Sequence, residues 1–416
     1  MHITDVTVEL LTQFSKDRGE PDWLLHLRRT AWDNYERLPW PNIKDERWKH
    51  TQLDKLNWDH LTYTSNSFQT ASSKAELANV PPETSDNSST LGPSAKAFWD
   101  LSRGVYFDVP PPLQEKAIEW ISLEAAIKSH PERIQDAWTQ SVEAAKSNKF
   151  LSLTLALGHI GSCLIIPKGQ VIKTPFQSHM FSGENESAKF TINFIFLDEA
   201  AEAQIWEELH ERDMTAKETN LVSSYTSLVL KENAKVNAYF LQNWNAGTSQ
   251  FQFQNVTQGG FSNYNAIAVS LGGRVFHNET TLHLQGQGAE NRVLGVLFGD
   301  EEQNFVNWVT QNHTAQRTTS DIQYRSALKG SSHMFFSGLV SISKEAQQSD
   351  AYQSSKSLLL SKDAKAEAIP ILEILADDVK CSHGAAVGPV DEDQKYYLQT
   401  RGINPEQAEE IIIEGF

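Results

Sequence analysis

From about residue 150 to 365 the chain consists of short apolar or alternating runs separated by polar or glycine-containing turns, and this texture limits the fold more than any other feature. Examples are Cys163-Leu164-Ile165-Ile166, Phe190-Thr191-Ile192-Asn193-Phe194-Ile195-Phe196 and Val236-Asn237-Ala238-Tyr239-Phe240-Leu241. Others follow at Ala266-Ile267-Ala268-Val269, Val293-Leu294-Gly295-Val296-Leu297-Phe298 and Met334-Phe335-Phe336-Ser337-Gly338-Leu339-Val340. Runs of this length, rich in β-branched and aromatic side chains, read as strands. Many strands without intervening helices predict a sandwich, a barrel or a β-solenoid, and the lack of a strict repeat period leaves all three open. Residues 201–212 have helix propensity in a strand-rich setting, so their state also stays open. Residues 150–167 are the most apolar uncharged stretch. They contain His159 and fall short of the roughly 20 apolar residues of a spanning helix, so they are read as buried strands.

The flanks have a different character. Residues 1–63 hold five of the eleven tryptophans (Trp23, Trp32, Trp40, Trp48 and Trp58). Their spacing fits no single helical stripe, and they read as anchors of an N-terminal helical domain, with a helix over 20–37 stopped at Leu38-Pro39-Trp40-Pro41. Residues 64–97 are rich in Ser, Thr, Asn and Pro, too poor in apolar side chains to offset their own ordering, and are expected to be a flexible linker. Residues 98–149 are expected to be a helical segment leading into the core, with Ile118, Ile121, Ala125 and Ile127 as its apolar positions. The core then spans 150–375, with Ile371-Leu372-Glu373-Ile374-Leu375 as a late strand. Residues 376–416 carry a signature strand and a C-terminal helical domain. After a turn at Gly388-Pro389, Asp391 caps a helix that Gly402 stops. Asn404 caps a second, with Pro405 at its first position and Gln407 three residues beyond the cap. Its Ala408, Ile411, Ile412 and Gly415 share a face that needs a partner.

The chain carries 36 Lys+Arg against 53 Asp+Glu, a formal net charge of -17. No basic run overcomes that field, so nucleic acid is not an expected partner. The first residues have neither a basic nor an apolar signal region, and no membrane span is expected. Two cysteines, Cys163 and Cys381, lack any spacing for a structural zinc site. They imply a reducing, cytoplasmic setting and cannot hold a four-cysteine iron–sulfur cluster alone. There is no Walker-type phosphate loop, no G-x-S-x-G elbow and no H-E-x-x-H pair. Gly286-Gln287-Gly288 and Gly272-Gly273-Arg274 read as turns between strands.

The sharpest candidate for chemistry is Val379-Lys380-Cys381-Ser382-His383. In an extended segment Cys381 and His383 point to one face, because strand side chains alternate. A thiolate beside an imidazole suits a soft or borderline metal. With no further cysteine nearby, the pair is part of a site whose other ligands come from a second subunit, sulfide or solvent. Equally, Cys381 reads as a small hydrophobe on an ordinary strand. Cys163, inside an apolar run, reads as core. His277 and His283, with mostly polar residues between them, read as surface or turn residues rather than metal ligands. Asp377 and Asp378 are adjacent, a poor arrangement for a paired acid and base.

The stretch from Leu372-Glu373-Ile374 through Ala376-Asp377-Asp378-Val379-Lys380-Cys381-Ser382-His383-Gly384-Ala385, Val387-Gly388, Tyr397-Leu398 and Arg401-Gly402-Ile403 closely resembles the C-terminal signature of SufD-type members of the SufB/SufD family. Weaker similarity extends to Leu38-Pro39, Glu46-Arg47-Trp48-Lys49 and Ser357-Leu358-Leu359-Leu360-Ser361. SufB typically has a His-Glu-containing sequence in place of Val379-Lys380-Cys381-Ser382-His383-Gly384. The resemblance implies a mainly β fold, a right-handed parallel β-helix core flanked by N-terminal and C-terminal helical domains. It implies a non-catalytic scaffold of the SufBCD iron–sulfur cluster assembly complex, pairing with SufB through the β-helix. The ATPase SufC would dock on the C-terminal helices. It also implies that Cys381 and His383 serve a transient iron–sulfur cluster shared with SufB, with no permanent cofactor. Ala386 stands where the family usually has Thr, and Ser354-Ser355-Lys356 replaces a more usual Asn-rich lead-in. Family members usually continue for a few helical turns past the position of Phe416, so the SufC dock is expected to be incomplete. Two other readings are a purely structural SufB partner with an inert Cys381, and a β-solenoid carbohydrate-active enzyme, for which the sequence offers little beyond Asp377-Asp378.

Overall fold

A computed structural model describes every residue except 65–68, 78–93, 183–185, 212–213 and 216–218. Most of the expected linker therefore lies outside the described residues. The N-terminal part opens with helices α1 (Val8–Asp17) and α2 (Asp22–Arg37), the latter matching the helix read from the pattern. Short strands β1 (Thr62–Tyr63), β2 (Gln69–Thr70), β3 (Lys96–Asp100) and β4 (Gly104–Asp108) follow. Then come α3 (Pro111–Gln114), β5 (Glu119–Ser122), α4 (Leu123–Ser129), α5 (Pro131–Ala144) and α6 (Lys149–Leu157). The expected helical stretch 98–149 is thus mixed. Ile121 sits in β5, which pairs antiparallel with the strand carrying Cys163.

The second difference is α6, where strands were expected. Asn148 accepts a hydrogen bond from the Leu151 amide at 3.1 Å and caps the helix, and every residue from Phe150 to Leu157 is buried. A short, wholly apolar run has no periodicity to separate a buried helix from a buried strand. The Asn148 cap and Gly158 bound the element, and packing on the outer face of β8 decides for the helix.

From there the chain is a succession of strands: β6 (Ser162–Ile166), β7 (Phe176–Phe181), β8 (Ser187–Leu197), β9 (Glu202–His210), β10 (Asn220–Leu230), β11 (Lys235–Asn243), β12 (Thr248–Gln258) and β13 (Asn263–Ser270). They continue as β14 (Val275–Leu284), β15 (Glu290–Gly299), β16 (Asn304–His313), β17 (Thr319–Leu328), β18 (His333–Ile342), β19 (Asp350–Leu359), β20 (Lys365–Ile374) and β21 (Lys380–Pro389). Two helices, α7 (Glu392–Thr400) and α8 (Pro405–Gly415), end the chain. The ambiguous stretch near residue 205 is strand β9. Gly388-Pro389, expected as a turn, lies at the end of β21. Proline is tolerated there because β21 is an edge strand and that position need not donate to a ladder.

Even-numbered strands from β6 to β20 stack in one sheet and odd-numbered strands from β7 to β21 in the other, each pairing in parallel with the strand two places along. Each coil contributes one strand to each sheet, giving a parallel β-solenoid of about eight turns with helices at both ends. The offset between paired residues varies from 26 (Ser249 to Val275) to 33 (Ile205 to Ala238). Turns of different length absorb the difference, which hides the repeat from a search for a fixed period. Among the described residues no helix is long and apolar enough to cross a membrane.

The lumen between the sheets is filled by side chains such as Phe176, Val222, Tyr264, Phe305, Tyr324, Met334 and Phe336. A second core forms outside, where α2, α5 and α6 cover the outer face of the first coils. Phe190, Ile192, Phe194 and Phe196 of β8 point into it with Trp32, Trp138 and Phe150. Leaving those four exposed would cost roughly 1.5–3 kcal/mol each, which explains why helices must lie there. Past α2 the chain straps over later coils. Trp48 stacks on His277 at 3.9 Å, His50 stacks on Phe335 at 3.7 Å, and the Trp308 indole donates to the Arg47 carbonyl at 3.0 Å. His277, read as a surface or turn residue, is fully buried under this strap. Its Nδ1 lies 2.7 Å from the Thr51 hydroxyl and its Nε2 lies 2.9 Å from Glu279 Oε1.

Candidate functional site

The solenoid ends abruptly. β20 is the last strand of one sheet and β21 the last of the other, and among the described residues neither has a strand on its far edge. Each offers ten residues with one unpaired row of backbone donors and acceptors. An uncovered edge of this length is a template for pairing with another chain.

Cys381 and His383 lie on β21. The ladder to β19 sets Cys381 beside Ala351 and His383 beside Gln353. Ala351 and Gln353 are buried between the sheets. In-register parallel neighbours share a face, and residues two apart share it too, so Cys381 and His383 both face the lumen side of the last coil. Among the described residues no further coil covers them. Cys381 is half-buried against a small cluster of Val340, Ile342, Ala346, Ala351 and Ala376, with Leu372 and Val379 alongside. His383 is exposed. Burial, and after it the Asp350 carboxylate, push the Cys381 thiol above its ordinary value. In the isolated chain the sulfur is therefore held as a thiol, a poor ligand until a cation or partner favours its ionised form.

The surroundings carry information that individual motifs did not. Ile374 and Val387 lie on the lumen side of the mouth at 39% and 45% exposure, and Leu375 beside them is 72% exposed. On the outer face of β20, Ile369 and Ile371 are also exposed. Contiguous exposed apolar side chains flanking unpaired edges mark an interaction surface. The available signal was the continuous apolar run Ile369-Pro370-Ile371-Leu372, which puts apolar side chains on both faces of a strand, read together with the end of the strand series. Asp377 and Asp378 occupy the bend between β20 and β21 rather than a strand, and the Asp378 amide bonds to Gln347 Oε1 at 2.9 Å.

Cys163 is fully buried in β6, and burial pushes its thiol up to about 12, as its core reading required. The helix caps of the C-terminal domain follow their local signals. Asp391 accepts from the Asp393 amide at 2.9 Å and Asn404 from the Gln407 amide at 2.8 Å, while Gly402 takes φ +88°. On α8, Ala408 is buried but Ile411 is 44% exposed. Ile411 and Ile412 line an open groove of about 750 Å³ with Leu358, Tyr397, Leu398 and Phe416.

Comparison with known proteins adds independent findings. The family profile described as "SUF system FeS cluster assembly, SufBD core domain" matches residues 179–416, more than half of the chain. The chain is 26% identical to an iron-sulfur cluster assembly SufBD family protein of Staphylococcus haemolyticus over 99% of its own length and 88% of that protein. It is 25% identical, with the same coverage, to the iron-sulfur cluster assembly protein SufB of Bacillus subtilis. A SufBD family protein of Staphylococcus epidermidis is 26% identical over the same shares.

Proposed function

Because the chain belongs to the SufBD family of the SUF iron–sulfur cluster assembly system, we propose that it is a SufD-type scaffold subunit that pairs with SufB through the open end of its solenoid. In this reading Cys381 and His383 hold part of a nascent iron–sulfur cluster at the junction. The observation that carries it is the placement of a thiol and an imidazole on the same face of the terminal strand, whose far edge has no partner strand among the described residues. The cluster is cargo, held transiently. One sulfur and one ring nitrogen leave its iron short of ligands, so a second chain, sulfide or solvent must supply the rest. The Cys381-Ser382-His383-Gly384 sequence favours the SufD type over the SufB type.

The terminal strand suits that task physically. A partner strand added to β20 or β21 satisfies the open backbone row and buries Ile374, Leu375 and Val387. Exclusion of water at the mouth strengthens charge interactions, and iron beside Cys381 offsets the burial and the Asp350 charge that hold the thiol protonated. The chain itself is read as a non-ATPase. SufC is proposed to dock at α7 and α8, where the groove beside Ile411 and Phe416 presents an apolar surface.

Reconstitution with SufB and SufC tests the reading. Cys381→Ala and His383→Ala should each lower cluster yield while the three proteins still copurify. Unchanged yield in both variants would remove the ligand assignment, and failure to copurify with SufB would remove the pairing. A second reading, a structural SufB partner with an inert Cys381, draws on the partial burial of that thiol. Under it, Cys381→Ala leaves yield intact.

A further inference from the structure

At the opposite end of the solenoid, three potential ligands converge on the outer face of the odd-numbered sheet. Glu208 and His210 are two apart on β9 and so share a face. The ladder to β7 places His179 directly beside Glu208. His179 Nδ1 lies 3.1 Å from Glu208 Oε2, and His210 Nε2 lies 3.1 Å from the same oxygen. One potential ligand atom from each residue falls within 4.8 Å of the other two. Two positions on one strand and one on its neighbour form a compact triangle that a sheet builds without any loop.

The rings are held in place before any ligand arrives. Phe98 stacks on His179 with centroids 5.3 Å apart and planes within 13°, and Phe181 stacks on His210 at 5.8 Å. His179 is 5% exposed and Glu208 and His210 are half-buried, so one side of the triangle stays open to solvent. Hydrogen bonds from His179 and His210 hold the Glu208 carboxyl far below its ordinary value, leaving it ionised. Among the described residues His179 Nε2 is buried with no hydrogen-bond partner. Moving the ring proton there frees the Nδ1 lone pair and leaves the number of unsatisfied groups unchanged.

We propose that His179, Glu208 and His210 form a binding site for a divalent first-row transition-metal ion, zinc or iron(II). Two imidazoles and one carboxylate, with the remaining positions open to solvent, match the preferences of those ions. The ion replaces the two N–H···O contacts with metal–nitrogen and metal–oxygen bonds, and each ring carries its remaining proton on the nitrogen away from the metal. Six strand steps separate β9 from β21. At ~4.8 Å each they put the site roughly 29 Å from Cys381 along the solenoid axis, so the two are separate.

The test uses the full chain stripped of metal and titrated with cobalt(II), followed by its visible absorption, with zinc(II) as competitor. The wild-type chain should bind a single cobalt ion at this site, displaceable by zinc. Glu208→Gln and His210→Gln should each weaken binding by at least about tenfold, since even outer-shell partners of a metal cost that much. A Cys381→Ala/His383→Ala double variant, which removes the ligands proposed at the far end of the solenoid, should still bind one cobalt ion displaceable by zinc. Circular dichroism and thermal melting of the metal-free proteins check that the variants fold. Wild-type affinity in both Glu208→Gln and His210→Gln would overturn the proposal. So would loss of all cobalt binding in the Cys381/His383 double variant.

Discussion

Replacing Glu20 by Gln should destabilise the N-terminal domain severely near neutral pH and hardly at all in strong acid. The Arg28 side chain is completely buried, with its Nε 2.8 Å from Glu20 Oε2 and its Nη2 2.9 Å from Oε1. Its Nη1 donates to the carbonyls of Ala156 at 3.0 Å and Gly158 at 2.7 Å, the orphan acceptors at the end of α6. The pair therefore ties α2 to the helix that covers the first coils. Burial alone would raise the Glu20 carboxyl. The charges of Arg28 and Arg18, with hydrogen bonds from Arg28 and Ser15, outweigh it and hold the group at about 2 against an ordinary 4.5. That depression corresponds to about 3 kcal/mol, and breaking a buried pair from one side typically costs about 3–5 kcal/mol. Because the folded-state value is depressed, the contribution is complete above the ordinary 4.5 and disappears as pH falls through about 2. Urea unfolding followed by tryptophan fluorescence gives the size of the loss, with Trp138, 4.9 Å from the Arg28 guanidinium, among the reporters. Hydrogen exchange along α2 locates it. A loss under about 1 kcal/mol near neutral pH, or a gap between wild type and variant that persists in strong acid, would refute the argument.

Trp48→Ala removes a ring wedged among Phe150, Phe251 and His277 and should cost about 3–5 kcal/mol, with the strap peeling from the solenoid in hydrogen exchange. Gly161→Ala would place its Cβ 1.7 Å from the Ile192 carbonyl oxygen, a backbone atom that cannot turn aside, so soluble expression or thermal melting should fall sharply. The Cys381 thiol should react with iodoacetamide more slowly than a free cysteine peptide, its rate still climbing with pH above the ordinary 9.0 where the peptide's levels off, and SufB should protect it. Equal rates for protein and peptide would contradict its packing. Leu375→Asp should leave melting nearly unchanged, since that side chain is 72% exposed, while weakening copurification with SufB.

The sequence by itself determined what short-range physics controls. Alternation marked the strands, Asp391, Asn404 and Gly402 marked the helix ends, and Val379-Lys380-Cys381-Ser382-His383 put a sulfur and an imidazole on one side of one strand. Each depends on preferences expressed within a few residues, which tertiary contacts had no reason to reverse. Three features lay beyond that range. Phe150–Leu157 carried no period to separate helix from strand, and the helix formed because the outer face of β8 needed cover. His277 looked exposed because its strand neighbours are polar, and a strap more than two hundred residues earlier in the chain buries it. His179 meets Glu208 and His210 only through the register of adjacent coils. That register depends on turn lengths that vary from coil to coil, so which side chains stack across coils is fixed by the assembled solenoid and by nothing local in the chain.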